Sequence, residues 1–232
     1  MGSPGPGNSD RQPRQGKLPF VGGDESEDRV DWASRWNEGG DNISNVLSEV
    51  TTLDQLREIS LDCERCGLRE GCKQVVFGEG DENADLAFIG EAPGATEDRE
   101  GVPFVGRAGQ LLNGMLEAAD LQREDVYITN VVKCRPPGNR TPRREERAAC
   151  MPFLKHQMHL IQPTIIISLG AAATQSLIDP KARITRMRGS WQSWEGTKVM
   201  PMFHPAALLR DPNKKKPTWQ DMKTVLEEIE CE

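Results

Sequence analysis

Three polar side chains and a set of thiols carry the chemistry this chain can do. Glu91 follows a short apolar run, Leu86-Ala87-Phe88-Ile89, and opens a loop rich in glycine and acid, Gly90-Glu91-Ala92-Pro93-Gly94-Ala95-Thr96-Glu97-Asp98. Asn130 interrupts the apolar stretch 126–132, and His204 ends another, 198–203, immediately before Pro205. A primary amide inside an apolar strand is expensive unless hydrogen-bonded. It is either a structural tie between loops or a reader of an imide edge, for which it holds both donor and acceptor. The other two histidines, His156 and His159, sit on a helix and read as ordinary surface or core residues.

The six cysteines include a Cys63-x-x-Cys66 pair and, far downstream, Cys134 and Cys150. Four thiolates so distributed can hold tetrahedral zinc or a [4Fe–4S] cluster, and spacing alone does not choose between them.

These residues need elements to position them. Apolar runs at 86–89, 126–132, 164–169 and 198–203 read as buried strands. They alternate with helical patterns, such as the i, i+3, i+4, i+7 spacing of residues 108, 111, 112, 115, 116 and 119. The pattern predicts a four-stranded parallel sheet with helices on both faces. Glu91, Asn130 and His204 then follow the first, second and fourth strands at one edge of the sheet, where open α/β sheets bind ligands. Ordered structure is expected from residue 49, with Thr52-Leu53-Asp54-Gln55 as a capping box. Residues 1–48 are polar and acidic and are expected to form a disordered extension in which Trp32 and Trp36 carry no chemistry. A later helix is expected from Thr141 (N-cap) and Pro142, and a basic loop over 183–194.

The net charge of −7 argues against nucleic acid only when taken globally. Residues 1–50 hold nine acids against five bases, whereas 133–147 carry six lysines and arginines against two glutamates. Residues 181–188 add four more cations and no acid. Each run alone reads as a solvated face, yet local patches rather than overall charge set phosphate affinity. No apolar run approaches membrane-spanning length, and residues 1–23 lack the apolar centre of a signal peptide, so a cytoplasmic protein is expected.

Gly90-Glu91-Ala92-Pro93-Gly94 with Glu97-Asp98, then Pro103-Phe104-Val105-Gly106 and Ala108-Gly109, resembles the first motif of family 4 uracil-DNA glycosylases. The stretch from Thr129 to Pro142 resembles a second block, and His204-Pro205-Ala206-Ala207 resembles the His-Pro motif of that superfamily. The resemblance spans about residues 52–230. It implies a three-layer αβα sandwich for residues 49–232, and a monomeric enzyme that cleaves the N-glycosidic bond of deoxyuridine in DNA. It also implies a [4Fe–4S] cluster on Cys63, Cys66, Cys134 and Cys150, outside which Cys72 and Cys231 fall and are expected to be structural or incidental. By the same resemblance Asn130, His204 and Glu91 are catalytic, and Phe104 stacks on the flipped base. Ala92, Pro93 and Glu97 join Glu91 around the base, while Arg140, Leu208 and Arg210 meet DNA.

Within the superfamily, a member that attaches covalently to DNA would need a histidine in the loop after Cys134, and residues 135–142 contain none. A non-enzymatic metal protein that binds nucleic acid, or a redox carrier, would share the thiols. A redox carrier leaves Asn130 and His204 without a role.

Overall fold

The computed structural model describes residues 43–230. The expectations for residues 1–42, including Trp32 and Trp36, and for Cys231 lie outside them.

In chain order the elements begin with α1 (Ile43–Ser48), α2 (Leu53–Leu61), α3 (Leu68–Gly71), β1 (Glu79–Gly80) and β2 (Leu86–Gly90). There follow α4 (Ala95–Glu100), α5 (Arg107–Glu117), β3 (Tyr127–Asn130), α6 (Arg144–Ile161), β4 (Ile165–Leu169) and α7 (Gly170–Leu177). The chain closes with α8 (Ile184–Met187), β5 (Gln192–Trp194), β6 (Thr197–Met202), α9 (Pro205–Arg210) and α10 (Lys215–Glu230). Among the described residues no helix is long and apolar enough to cross a membrane.

Six strands form one sheet in the order β1-β3-β2-β4-β6-β5. β3, β2, β4 and β6 run parallel, as the four apolar runs predict. The sheet differs from the expected four strands by an antiparallel strand at each edge, β1 on β3 and β5 on β6. β5 lies inside the stretch expected to be a basic loop, as does α8. It turns into β6 through Glu195 (φ 50°) and Gly196 (φ 85°). Two successive left-handed residues match the twist of the hairpin they connect.

Although the central strands are almost wholly apolar, their side chains still alternate between two cores. Ala87, Ile89 and Ile166 pack with Phe153, Leu154 and Leu177 from α6 and α7. Leu86, Phe88, Ile165 and Ile167 pack on the opposite face with Leu112 and Leu116 of α5 and Met222 and Val225 of α10. Helices on both faces make the three layers.

Thr52 caps α2 as expected, its side chain accepting from Gln55 N. Order starts earlier than residue 49, however. Ile43, Val46 and Leu47 of α1 are buried in the first core. Six residues with three apolar positions are too short to show a period in a polar context. The start of α6 also differs, with Arg143 at its N-cap instead of Thr141. The reason is Glu146, whose carboxylate accepts from Arg143 N at 2.6 Å and so anchors the first turn there.

A chain beginning at residue 50 is expected to be less stable than one beginning at residue 43. Each fully buried aliphatic side chain of α1 contributes about 1.5–3 kcal/mol, so the loss should reach several kcal/mol in urea denaturation. Equal midpoints for the two chains would show that α1 is dispensable to the core.

Candidate active site and thiol cavity

The parallel register sets Gly90 beside Asn130, and β4 and β6 end at the same level. The four carboxyl ends open into a cleft of about 770 Å³. Glu91, Ala92, Pro93, Glu97, Phe104, Asn130 and His204 all line it, so residues from three separate sequence motifs share one wall.

Gly90 leaves room for that meeting. A Cβ there would lie 2.4 Å from Asn130 Oδ1 and 2.5 Å from Phe104 Cζ. The Asn130 side chain is 2% exposed, and its Oδ1 has no hydrogen-bond partner. A buried acceptor without a donor is costly, by about 1–3 kcal/mol. Asn130 lines the cleft, where a ligand can supply that donor.

His204 is the N-cap of α9, and its Nδ1 accepts from Ala206 N at 3.1 Å. That bond requires a bare Nδ1, which places the proton of the neutral ring on Nε2 as a donor. The ring keeps an edge open to the cleft, yet the surrounding wall excludes water and pushes its pKa down to about 4. Arg210 pushes the same way and Glu97 opposes. Gly170 (φ 88°) permits this packing, because a Cβ on it would stand 2.9 Å from His204 Cβ.

The Phe104 ring stacks on the His204 ring with centroids 5.5 Å apart. Its backbone is left-handed, φ 53°, which costs a non-glycine residue about 1–3 kcal/mol. Glu97 holds the loop around it. Its carboxylate accepts from Gly94 N (3.1 Å), Val105 N (3.1 Å) and Gly106 N (2.8 Å). Glu97 therefore spends its oxygens on backbone amides, a role its place in the motif did not reveal.

Cys63, Cys66, Cys134 and Cys150 line a second, mostly apolar cavity, with Val75, Val132 and Phe153. They are brought there by the turn after α2, the segment after β3, and α6. Among the described residues no three ligating side chains close on one ion-sized point. The four thiols share only the lining of that cavity. Burial pushes the Cys150 thiol up to about 11 and raises Cys63, Cys66 and Cys134 as well. Thiols in such surroundings become thiolates when a metal supplies positive charge. Lys133 borders the same cavity, 2% exposed, donating to Thr129 Oγ1 (2.6 Å) and Asn130 O (2.8 Å). Its position in an apolar run, Val131-Val132-Lys133, was the available sequence signal.

Residues 77–223 match the family model described as the uracil DNA glycosylase superfamily. The chain is 46% identical over 185 residues to the type-4 uracil-DNA glycosylase of Thermotoga maritima, covering 77% of this chain and 94% of that one. It is 42% identical over 187 residues to the type-4 uracil-DNA glycosylase of Sulfurisphaera tokodaii, covering 77% and 85%. The protein of the same name from Saccharolobus solfataricus is 43% identical over 189 residues, covering 78% and 88%.

The chain belongs to the type-4 uracil-DNA glycosylase family.

Three expectations carried over from that family need correction or sharpening. Leu208 does not face the cleft. It is 2% exposed and packs with Met115 and Phe203, because the inward face of α9 covers that small core. Its neighbour Leu209 is the exposed one, at 41%. Arg140 lines the cleft, but its guanidinium is held in a bidentate pair by Glu146 at 2.8 and 2.6 Å. Arg210 lines the cleft too, with Lys214, which ion-pairs with Asp211 at 3.0 Å. Cys72, set apart from the other thiols in sequence, has its thiol against that of Cys134.

His204 is expected to stay neutral, with its proton on Nε2, through the neutral range and down to about pH 4. The folded pKa is lower than the ordinary 6.5. Between 6.5 and about 4 the unfolded chain thus binds a proton that the folded one refuses. The histidine's contribution to stability is whole above 6.5 and drains as pH falls through that window. Nitrogen NMR of the imidazoles reads this directly; an imidazolium signal for His204 at about pH 6 contradicts it.

Proposed function

We propose that this chain removes uracil from DNA by hydrolysing the N-glycosidic bond of deoxyuridine, releasing free uracil and leaving an abasic site. The observation that carries the reading is the unpaired Oδ1 of Asn130 beside Phe104 and His204 on one cleft wall. A base must leave the duplex stack to reach it, at a cost of about a few kcal/mol that contacts in the cleft offset.

In this reading Phe104 stacks on the flipped base. Asn130 Oδ1 accepts the N3–H of uracil while Nδ2 donates to O4. Cytosine presents the opposite pattern, an acceptor at N3 and an amino donor at C4, and is refused. The neutral His204 donates from Nε2 to O2, where negative charge gathers as the bond to C1′ breaks. A donor aimed at developing charge acts in the transition state and is worth about 10²–10³ in rate. Glu91, on the cleft wall one residue beyond β2, stabilises the positive charge of the sugar. Ala92 and Pro93 shape the floor, and Glu97 closes the site by holding its loop. Arg140, Arg210 and Lys214 take phosphates at the rim, and the exposed Leu209 replaces Leu208 as the apolar contact to DNA.

Cys63, Cys66, Cys134 and Cys150 are proposed to hold a [4Fe–4S] cluster with a structural role. Its support is the chemistry of the donor set: four thiols from three separated segments around one apolar cavity beside the buried amine of Lys133. Bound there, it ties the turn after α2 to β3 and α6. One chain supplies the whole cleft and the whole thiol set, so a monomer suffices. A reducing cytoplasm suits five described cysteines that are all unpaired.

The deciding experiment is single-turnover release from matched oligonucleotides carrying one uracil or one cytosine. The native chain is expected to release uracil alone. Asn130→Asp removes the donor to O4 and offers cytosine's amino group an acceptor. Uracil excision should fall at least about tenfold, one contact being worth about 1–3 kcal/mol, and weak cytosine release should appear. Native rates and selectivity in both Asn130→Asp and Asn130→Ala would show that the amide is structural. No uracil release by cluster-loaded native protein would favour a non-enzymatic nucleic-acid-binding protein.

Protein purified without oxygen should be brown and carry about four irons and four sulfides per chain. Cys134→Ala should lose the iron and much of the stability together, whereas Cys72→Ala should keep both. Stoichiometric zinc without sulfide would overturn the assignment.

A further inference from the structure

Phe104 sits in a backbone conformation it would not choose, and Glu97 holds only one side of it. The other side is held by Arg123, which lies at the edge of the cleft's supporting structure and has no part in the reading above. Its Nη1 donates to Phe104 O at 3.1 Å and to Asn113 Oδ1 at 3.0 Å. Its Nη2 donates to Pro103 O at 2.8 Å and pairs with Glu79 Oε2 at 2.9 Å. The side chain is 19% exposed, so these bonds are only partly open to water.

The geometry of the two peptide units matters more than the number of bonds. The Phe104–Val105 peptide is gripped at both ends. Its carbonyl faces the Arg123 guanidinium and its N–H faces the Glu97 carboxylate. A peptide dipole set between a cation at its oxygen and an anion at its nitrogen has one favoured orientation. The preceding Pro103–Phe104 peptide has its carbonyl on the same guanidinium. Planes fixed on both sides of a residue fix its φ and ψ. They therefore aim its side chain, here across Gly90 toward Asn130. α5 leaves no slack either, because a Cβ on Gly109 would fall 1.7 Å from Phe104 O.

We infer that Arg123 is a positioning residue for base capture. It holds the Phe104 backbone in its left-handed conformation, so that the ring stands ready before DNA arrives. The inference rests on the proposed role of Phe104 as the stacking surface. Arg123 does not touch the base; its planar fork spans two carbonyls at once, which a lysine ammonium does less well.

The test is a double-mutant cycle with Phe104→Ala, read by single-turnover uracil release and by inhibition with free uracil, alongside thermal unfolding. In the native background Arg123→Ala should slow release about tenfold and raise the inhibition constant of uracil by a similar factor. In the Phe104→Ala background the same substitution should change either quantity less than about twofold, because the ring it aims is gone. Added guanidinium should restore part of the rate to Arg123→Ala and nothing to Phe104→Ala. If Arg123→Ala does not fold, Arg123→Lys and Arg123→Gln enter the cycle instead, with the lysine variant the milder. Equal losses in both backgrounds, or an unchanged uracil inhibition constant in folded Arg123 variants, would overturn the inference while leaving uracil excision intact. A native chain that releases no uracil would overturn the functional reading, and the inference with it.

Discussion

The space above Gly90 can hold a side chain from that residue or the meeting of Asn130 and Phe104, but not both. A Cβ would overlap Asn130 Oδ1 and the Phe104 ring at about 2.4–2.5 Å. The parallel register puts Gly90 and Asn130 at the same depth, so the amide reaches the cleft only because its neighbour is bare. Phe104 then has to arrive from the loop after α4, and it does so with a left-handed backbone. Glu97 and Arg123 offset that cost with charge-assisted bonds to the flanking peptides. Gly109 lets α5 begin against the Phe104 carbonyl. Each of these features follows from bringing one amide and one ring over the same bare glycine at the end of β2.

The wall is set up for neutral hydrogen bonding in a dry place. His204 is held uncharged by its surroundings and held in one tautomer by the Ala206 amide. An imidazolium would lose that cap and would have to be desolvated as a charge. Two other charges of the cleft are engaged by the protein itself, Glu97 in its grip on backbone amides and Arg140 in its pair with Glu146. Donors fixed in advance need no reorganisation when charge develops.

β3 serves two sites at once. On one side Asn130 faces the cleft; three residues on, Lys133 turns back to bond Asn130 O and Thr129 Oγ1 while bordering the thiol cavity. A buried ammonium is costly without a counter-charge, and four thiolates around iron supply one in the proposed assembly. Asp98 adds a second link, accepting from Lys73 N at 2.8 Å from within α4. The segment after β3 is thereby tied to the Asn130 backbone, and the residue next to Cys72 to α4.

Much of this was legible in the sequence. The central strands are buried on both faces, so they appear as unbroken apolar runs, and polar residues at their carboxyl ends stand out. Glu91, Asn130 and His204 could be placed at one edge from strand order alone, and the four cysteines grouped by type. β1 and β5, at two and three residues, carry no period to read, and α1, at six, is still too short to show one. Helix α9 is equally short, so the choice between Leu208 and Leu209 turned on which side met Met115 and Phe203. The sequence by itself determined the inventory of chemical groups and the order of the strands that deliver them, because residue type and apolar patterning act locally. Tertiary structure alone decided that Asn130 Oδ1 is unpaired, that His204 donates from Nε2, and that Arg123 grips a peptide nineteen residues away. Those outcomes depend on side-chain directions and on partners distant in the chain, which are set only when the layers pack.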